Sequence, residues 1–261
     1  MGMTLQFGIR RHARLGSTND EAQHLAAAGA PAGTVVVAAT QTAGRGRQGR
    51  VWASPPGNLY ASVLLRPEVP MERLGELAFL AGLAVAETVA ALLPPERQVR
   101  LKWPNDVLVD GAKIAGILIE QAGDAVVLGI GLNIAHPPPE APYPATALVA
   151  AGADAAVETV LPLLLATLGG RLSLWQAQGF APIRAAWLAR AHPVGTPLRV
   201  RLGGRAETGM IAGRFAGIDA AGALLLDTAA GPRRIVAGEV AVARDLTRDD
   251  APPWPSEDAQ G

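Results

Sequence analysis

Between two apolar, strand-like stretches, residues 34–41 and 58–66, the chain runs Thr42-Ala43-Gly44-Arg45-Gly46-Arg47-Gln48-Gly49-Arg50. That run has neither the two-residue nor the 3.6-residue apolar period, so it must be a loop at the end of a sheet. Glycines at 44, 46 and 49 let backbone approach a ligand closely and reach positive φ. Arginines at 45, 47 and 50 offer forked donors suited to phosphate or carboxylate. The Gly-Lys-Ser/Thr ending of a Walker loop is missing, and no helix opens on the last glycine as the dinucleotide fingerprint requires. A single copy between buried strands also differs from the repeated Arg-Gly segments that hold nucleic acid. Three glycines and three like charges have little reason to pack alone, so the run is expected to be mobile in the free protein.

The rest of the chain arranges itself around this loop. Ser17-Thr18-Asn19-Asp20 is an N-cap cluster ahead of a helix at 21–28, closed by Gly29. Residues 74–93 form a long apolar helix ended by Pro94-Pro95. Short strands at 99–103 and 106–109 flank Pro104, and the turn signal Asp110-Gly111 leads to strands at 113–121 and 125–134. Residues 136–144 hold five prolines and form a loop. Helices are expected at 155–178, with Pro162 as a kink or restart, and at 181–191. From Gly195 short β-type runs alternate with glycine turns at 198–202, 207–215, 223–227, 233–237 and 240–243, a small all-β module. The Pro- and acid-rich segment from Asp245 is expected to be disordered. The chain thus divides into residues 1–193, 194–244 and 245–261.

Composition narrows the chemistry. The formal net charge is zero, which argues against a protein that holds nucleic acid electrostatically. There is no cysteine, so disulfides and thiolate metal sites are excluded. Residues 1–14 read as neither signal peptide nor anchor, and no stretch is expected to span a membrane. Of the 23 basic residues, 21 are Arg and two are Lys, at 102 and 113. Two lysines must have some spacing, so chance is one explanation. The other is that these positions need a compact ammonium that Arg does not replace.

Three further clusters carry chemistry. Lys102-Trp103-Pro104-Asn105-Asp106 places an amide, a carboxylate and an indole around a strand break. Lys113 opens the next strand, where an ammonium can face an anion while Gly116 lets a ligand pack close; in isolation it would be an exposed strand start. Gly129-Ile130-Gly131-Leu132-Asn133 puts two glycines and an amide at a strand end. Trp52 is either core or a cover for a flat ring.

Ser17-Thr18-Asn19, the glycine–arginine loop with Trp52, Lys102-Trp103-Pro104-Asn105-Asp106 with Lys113 and Gly116, and Gly131-Leu132-Asn133 together resemble the biotin protein ligases over about residues 10–244. Gln48 departs from that pattern, standing where many relatives have Arg. The short stretch before Ser17 leaves no room for the DNA-binding domain that some relatives carry. The resemblance implies an α+β fold, a mixed β-sheet flanked by helices and akin to class II aminoacyl-tRNA synthetases, followed by a small SH3-like C-terminal β-barrel. It implies a cytoplasmic ligase that joins biotin to a lysine of a biotin carboxyl carrier protein of acetyl-CoA carboxylase or a similar carboxylase. The reaction passes through biotinyl-5'-AMP, with ATP and biotin as substrates and Mg²⁺.

The resemblance also implies site residues. Lys113, Arg45 and Arg47 would be catalytic, neutralising the approach of biotin's carboxylate to the α-phosphate. Ser17, Thr18, Asn19, Gln41, Gly44, Arg45, Lys113 and Gly116 would bind biotin. Arg47, Gln48, Gly49, Arg50, Trp52, Asn105 and Asn133 would bind the nucleotide or adenylate. The metal ligands are unknown, with Asp106 the one candidate. No nucleic-acid or membrane partner is expected, and monomer and homodimer both stay open. A lipoyl or octanoyl transferase of related fold, a nucleic-acid-binding module and a non-catalytic biotin sensor are the rival readings.

Overall fold

The structure, a computed structural model, describes residues 5–141, 143–203 and 208–243. Seven strands form one mixed sheet: β1 (Gly8–Leu15), β2 (Thr34–Gln41), β3 (Leu59–Leu65), β4 (Val99–Lys102), β5 (Asp106–Val109), β6 (Ala112–Ala122) and β7 (Ala125–Leu132). Their order is β1-β2-β3-β7-β6-β5-β4. Only β1 and β2 run parallel, and the helix α1 (Thr18–Ala27) makes the crossover between them. The Ser17 hydroxyl caps α1, accepting from the Asn19 N–H at 3.2 Å.

Helix α1 lies on one face of the sheet, where Ala22, Ala26, Val36, Leu64 and Val127 pack together. On the other face lies α2 (Glu76–Leu92), backed by α3 (Val157–Gln178) and α4 (Phe180–Arg190), and this is the main core. Helix α3 runs unbroken through Pro162, which removes only the bond to the carbonyl of Glu158. Against expectation, residues 71–92 and 157–178 are apolar and long enough to cross a membrane by length and composition. Helix α2 has its apolar surface covered by the sheet and by α3 and α4.

Strand β1 escaped the sequence reading. Its residues, Gly-Ile-Arg-Arg-His-Ala-Arg-Leu, show no alternation because the strand is at the sheet edge and mostly exposed. Charged side chains are a common guard on such edges.

After α4 come β8 (Pro197–Gly203), β9 (Thr208–Ile218), β10 (Leu224–Thr228), β11 (Gly231–Ile235) and β12 (Gly238–Val242), all antiparallel in the order β11-β10-β9-β8-β12. Among the described residues this sheet does not close into a barrel. Glu207, expected in a strand, and the expected disordered tail from Asp245 lie outside the described residues.

The small sheet is fastened to the large domain. The Trp103 indole donates to the carbonyl of Gly222 at 3.0 Å, and the Arg184 Nε to the carbonyl of Ile218 at 2.8 Å. Phe79 packs edge-on against Phe180 and Trp187, with centroids 5.5 and 5.3 Å apart. Gly222 lets the small domain lie against Phe79: at φ +83° a Cβ there would stand 2.6 Å from the ring.

His192 sits between the domains, and its buried Nε2 finds no hydrogen-bond partner among the described residues. Burial, then the charges of Arg100 and Lys102, push its pKa down to about 4. The folded state therefore binds fewer protons than the unfolded one between the ordinary imidazole pKa and about 4, and stability falls as pH drops through that window. We expect an acid loss of at most about 3 kcal/mol from this group. His192→Gln should flatten urea-unfolding free energies between pH 6.5 and 4.5 (roughly the window of the shift). An undiminished slope in the variant would refute the assignment.

Candidate active site

The glycine–arginine loop leaves β2 and folds over the end of the large sheet, roofing a cleft of about 310 Å³. The small domain closes the cleft with residues 239–242. Within the loop the Trp52 N–H donates to the carbonyl of Gly44 at 2.9 Å and the Gly46 N–H to that of Arg50 at 2.7 Å. Gln48 takes the left-handed conformation at φ 58°, a conformation uncommon outside glycine.

The expectation of a loop without reason to pack is corrected here. Arg45 pairs with Glu120 and Asp20, at 2.9 and 2.7 Å. Arg50 pairs with Glu239 of β12. These carboxylates lie far away in sequence, so local composition gave no hint of them.

One end of the cleft is neutral and rich in hydrogen bonds. Ser17, Thr18 and Asn19 are all buried. The Gln41 Oε1 accepts from the Thr18 N–H at 2.8 Å, and the Gln41 Nε2 donates to the Ser54 hydroxyl at 3.0 Å. The Ser62 hydroxyl lies 2.8 Å from that of Thr18 and 2.6 Å from the Asn19 Oδ1. Ser54 and Ser62 were not foreseen, since serines in strands and loops carry no local signal.

The other end is cationic. Asp106 opens β5, directly opposite Lys102 in the β4–β5 register. Along β5 and β6, Val107 pairs with Ala115 but Leu108 pairs with Lys113, so β6 carries one extra residue. That bulge re-aims the Lys113 side chain to the side of the sheet that bears Asp106. The Lys113 Nζ stands 2.7 Å from Asp106 Oδ1 and the Lys102 Nζ 3.0 Å from Oδ2. Burial pushes the Asp106 carboxyl upward, but the two ammoniums outweigh it and hold it well below the usual carboxylate range. Burial likewise works against the charge of Lys113, and Asp106 more than restores it, so its pKa is raised.

Arg47 is the exception among the loop arginines. It donates to the Asn105 Oδ1 and to the carbonyl of Gly238, both at 3.3 Å, and forms no ion pair among the described residues. Burial lowers its pKa. Trp52 lies across Gly116 and Gly131, where a Cβ would stand 3.1 and 2.6 Å from the indole. Its buried Nε1 has no hydrogen-bond partner among the described residues. The Lys113 ammonium is 5.4 Å from the Trp52 ring and 5.2 Å from that of Tyr143, a residue of the proline-rich loop not foreseen as part of the site.

Of the expected site residues, Ser17, Thr18, Asn19, Gln41, Arg45, Arg47, Arg50, Trp52, Asn105, Asp106, Lys113 and Gly116 line one cleft. Asn133 faces elsewhere: its amide donates to the carbonyl of Thr146 at 3.0 Å and so holds the segment that follows Tyr143. Gly44, Gln48 and Gly49 shape the loop without lining the cleft. No group of three or more potential metal ligands occurs among the described residues, and both Asp106 oxygens are engaged by ammoniums. A resident metal does not fit this donor set.

The model of the biotin/lipoate A/B protein ligase family matches residues 12–134, and that of the biotin protein ligase C-terminal domain matches residues 199–242. The chain is 41% identical over 243 residues to the biotin–[acetyl-CoA-carboxylase] ligase of Paracoccus denitrificans, covering 87% of this chain and 98% of that one. The chain belongs to the biotin protein ligase family. The bifunctional ligase/repressor BirA of Bacillus subtilis is 35% identical over 88% of this chain and 72% of its own. Among solved structures, the biotin protein ligase of Aquifex aeolicus in complex with biotin and ATP superposes with a TM-score of 0.79 at 30% identity, over 91% of this chain and 99% of that one. The Leishmania major ligase in complex with biotinyl-5-AMP matches with a TM-score of 0.63 at 29% identity, over 88% of this chain and 99% of that one.

Lys113 is no exposed strand start, because its side chain is only 16% exposed. Lys113→Ala should therefore cost stability, about 1–3 kcal/mol by urea unfolding. Asp106→Asn should cost more, about 3–5 kcal/mol, because it leaves two buried ammoniums side by side. The reverse order would show that the carboxylate does not hold the pair.

Proposed function

We propose that this chain activates biotin with ATP and transfers it to a lysine of a carboxylase carrier domain, using the cleft described above. One observation carries the assignment: the cleft is graded, neutral at the Ser17–Gln41 end and cationic at the other. Lys102, Lys113, Arg47 and Arg50 face Asp106 and Glu239 there, leaving a surplus of two positive charges. Biotin has the same grading. Its ureido ring is neutral and bonds through donors and acceptors, which Thr18 and Gln41 can complement. Its carboxylate belongs at the charged end, where it meets the triphosphate.

In the first step a carboxylate oxygen forms a bond to the α-phosphorus and the bond to the β-phosphate oxygen breaks, releasing pyrophosphate. Two anions must approach, and charge builds on the phosphoryl oxygens. Lys113 and Arg47 are fixed in advance where that charge develops, and a preorganised cation needs no reorganisation as the reaction proceeds. Arg47, a half-buried cation without a carboxylate partner among the described residues, gains most from an arriving phosphate. Mg²⁺ enters with the nucleotide as part of the substrate. Trp52 covers the mixed anhydride against water, its indole N–H free to donate to the bound intermediate. In the second step the carrier lysine, as the neutral amine, attacks the acyl carbon and AMP leaves. Asn105 orients Arg47, and Asn133 acts through the Tyr143–Thr146 segment that borders the nucleotide end.

The same reading keeps the large domain to residue 193 and the small one to 244, and relates them to class II aminoacyl-tRNA synthetases and SH3-like folds. Support for the latter is the long β9, which pairs with both β10 and β8 around a register shift. We place the enzyme in the cytoplasm, with a biotin carboxyl carrier protein as partner and no nucleic-acid ligand. A homodimer is favoured by β6, whose residues 117–122 have no strand on their outer side among the described residues.

Incubation with biotin, Mg-ATP and a carrier domain should add one biotinyl group to the carrier by mass, and biotin should drive pyrophosphate exchange into ATP. Lipoate or octanoate serving equally well would overturn the substrate assignment. Lys113→Ala should lower the adenylation rate by roughly 10²–10³. Lys113→Arg should also lose most activity, since a fork does not fit where one ammonium faces one oxygen of Asp106. Parental rates in Lys113→Arg would reduce Lys113 to a general positive charge.

A further inference from the structure

The loop arginines differ in what holds them. Arg50 is paired with the small domain, Arg47 has neutral partners, and Arg45 is gripped at the biotin end. The Arg45 Nε and Nη2 donate to the Glu120 Oε1 at 3.1 and 3.0 Å, and Nη2 also reaches Oε2 at 2.9 Å. A hydrogen bond to Asp20, then Glu120, raises the pKa of Arg45 against the cost of burial. Glu120 does more than hold this arginine. Its Oε2 accepts from the Asn19 Nδ2 at 2.7 Å and the Gln23 Nε2 at 3.2 Å. Asn19 is itself in contact with Ser62, which bonds Thr18. One carboxylate on β6 thus gathers the first arginine of the loop and the helix that carries the neutral wall of the cleft.

We propose that Glu120 is a positioning residue that couples closure of the arginine loop to the biotin-binding wall, and that Arg45 is the clasp of that loop rather than a phosphate ligand. Two carboxylates already offset the charge of Arg45, so it adds none to the phosphate end. The bidentate contact is directional and sets the angle at which the loop leaves β2. The clasp forms from the chain's own groups, so it adds to whatever else holds the loop closed over the cleft. A bound biotin is then retained by the same contact. The link to biotin rests on the ligase reading, whereas the clasp itself does not.

The test combines limited proteolysis with steady-state kinetics on the full chain. Trypsin should cut after Arg47 and Arg50 several-fold faster in ligand-free Glu120→Gln than in the parent. Arg45→Gln, which also removes the Asp20 pair, should do at least the same, and the double variant should be cut no faster than Arg45→Gln alone, since Glu120 acts on the loop through Arg45. In pyrophosphate exchange, Glu120→Gln should raise the KM for biotin about tenfold, the loss of one charge-assisted contact from the closed state. The KM for ATP and the rate at saturating biotin should stay near parental values, a split that general loosening of the fold would not produce. Parental cleavage in Glu120→Gln, or multiplying effects in the double variant, would overturn the clasp. Faster cleavage with an unchanged biotin KM would overturn the coupling. If Glu120→Gln does not fold, Glu120→Asp and Asp20→Asn read the same contacts. Clasp behaviour in a parent that fails to use biotin would sink the ligase reading and leave the clasp standing.

Discussion

A cleft that must bring a carboxylate onto a phosphate has to hold several like charges together before either anion arrives. The Lys102–Asp106–Lys113 contact answers that constraint here. One buried carboxylate, each oxygen facing one ammonium at 3.0 or 2.7 Å, permits two cations to share a small volume. Their repulsion is offset, yet the group keeps a net positive charge for a ligand. The local fold follows from it. The β4–β5 turn places Lys102 opposite Asp106, and the bulge in β6 brings Lys113 round to the same side. Replace the bulge by regular pairing and Lys113 would face the other side of the sheet.

The same constraint explains why the small domain is fixed rather than tethered. Glu239 supplies the carboxylate that holds Arg50, and the carbonyl of Gly238 accepts from Arg47. Both donors reach across from the loop of the large domain, so these contacts exist only if β12 stays in place. The Trp103 and Arg184 hydrogen bonds, with the close approach of Gly222 to Phe79, secure that placement. The loop is therefore gripped from both sides, by α1 and β6 at Arg45 and by β12 at Arg50, with Arg47 and the left-handed Gln48 between.

What was legible in the sequence were the elements with strong period or punctuation. The apolar runs of β2 and β3, the capped α1, the long α2 and the switch to short β runs after Gly195 all appear as expected. Strand β1 was not legible, because an exposed edge strand has no apolar face to alternate. Most cleft-lining residues were legible, because glycines, arginines and amides outside any periodic pattern stand out. Their partners were not. Glu120 sits in an apolar strand and Glu239 in a short β run, and each acquires meaning only through an arginine far along the chain. Asn133 shows the converse: its residue type suggested a ligand contact, but the turn of the backbone gives its amide to Thr146.

The scarcity of lysine has the same physical root. With 21 arginines and two lysines, the spacing of Lys102 and Lys113 is by itself uninformative. In the folded chain both ammoniums meet the same carboxylate. Arginine at either position would tend to take both Asp106 oxygens with its fork, displacing the second cation and leaving it buried without a partner. A compact ammonium takes one oxygen and leaves the other free. At Lys113 the remaining space is bounded by the rings of Trp52 and Tyr143, whose centroids stand 5.4 and 5.2 Å from Nζ. There the ammonium is a point charge held beside two ring faces. Arginine forks meet carboxylate or backbone at sites such as Arg45 and Arg184. At Asp106 two ammoniums divide one anion, and that division leaves a positive charge able to meet a third party.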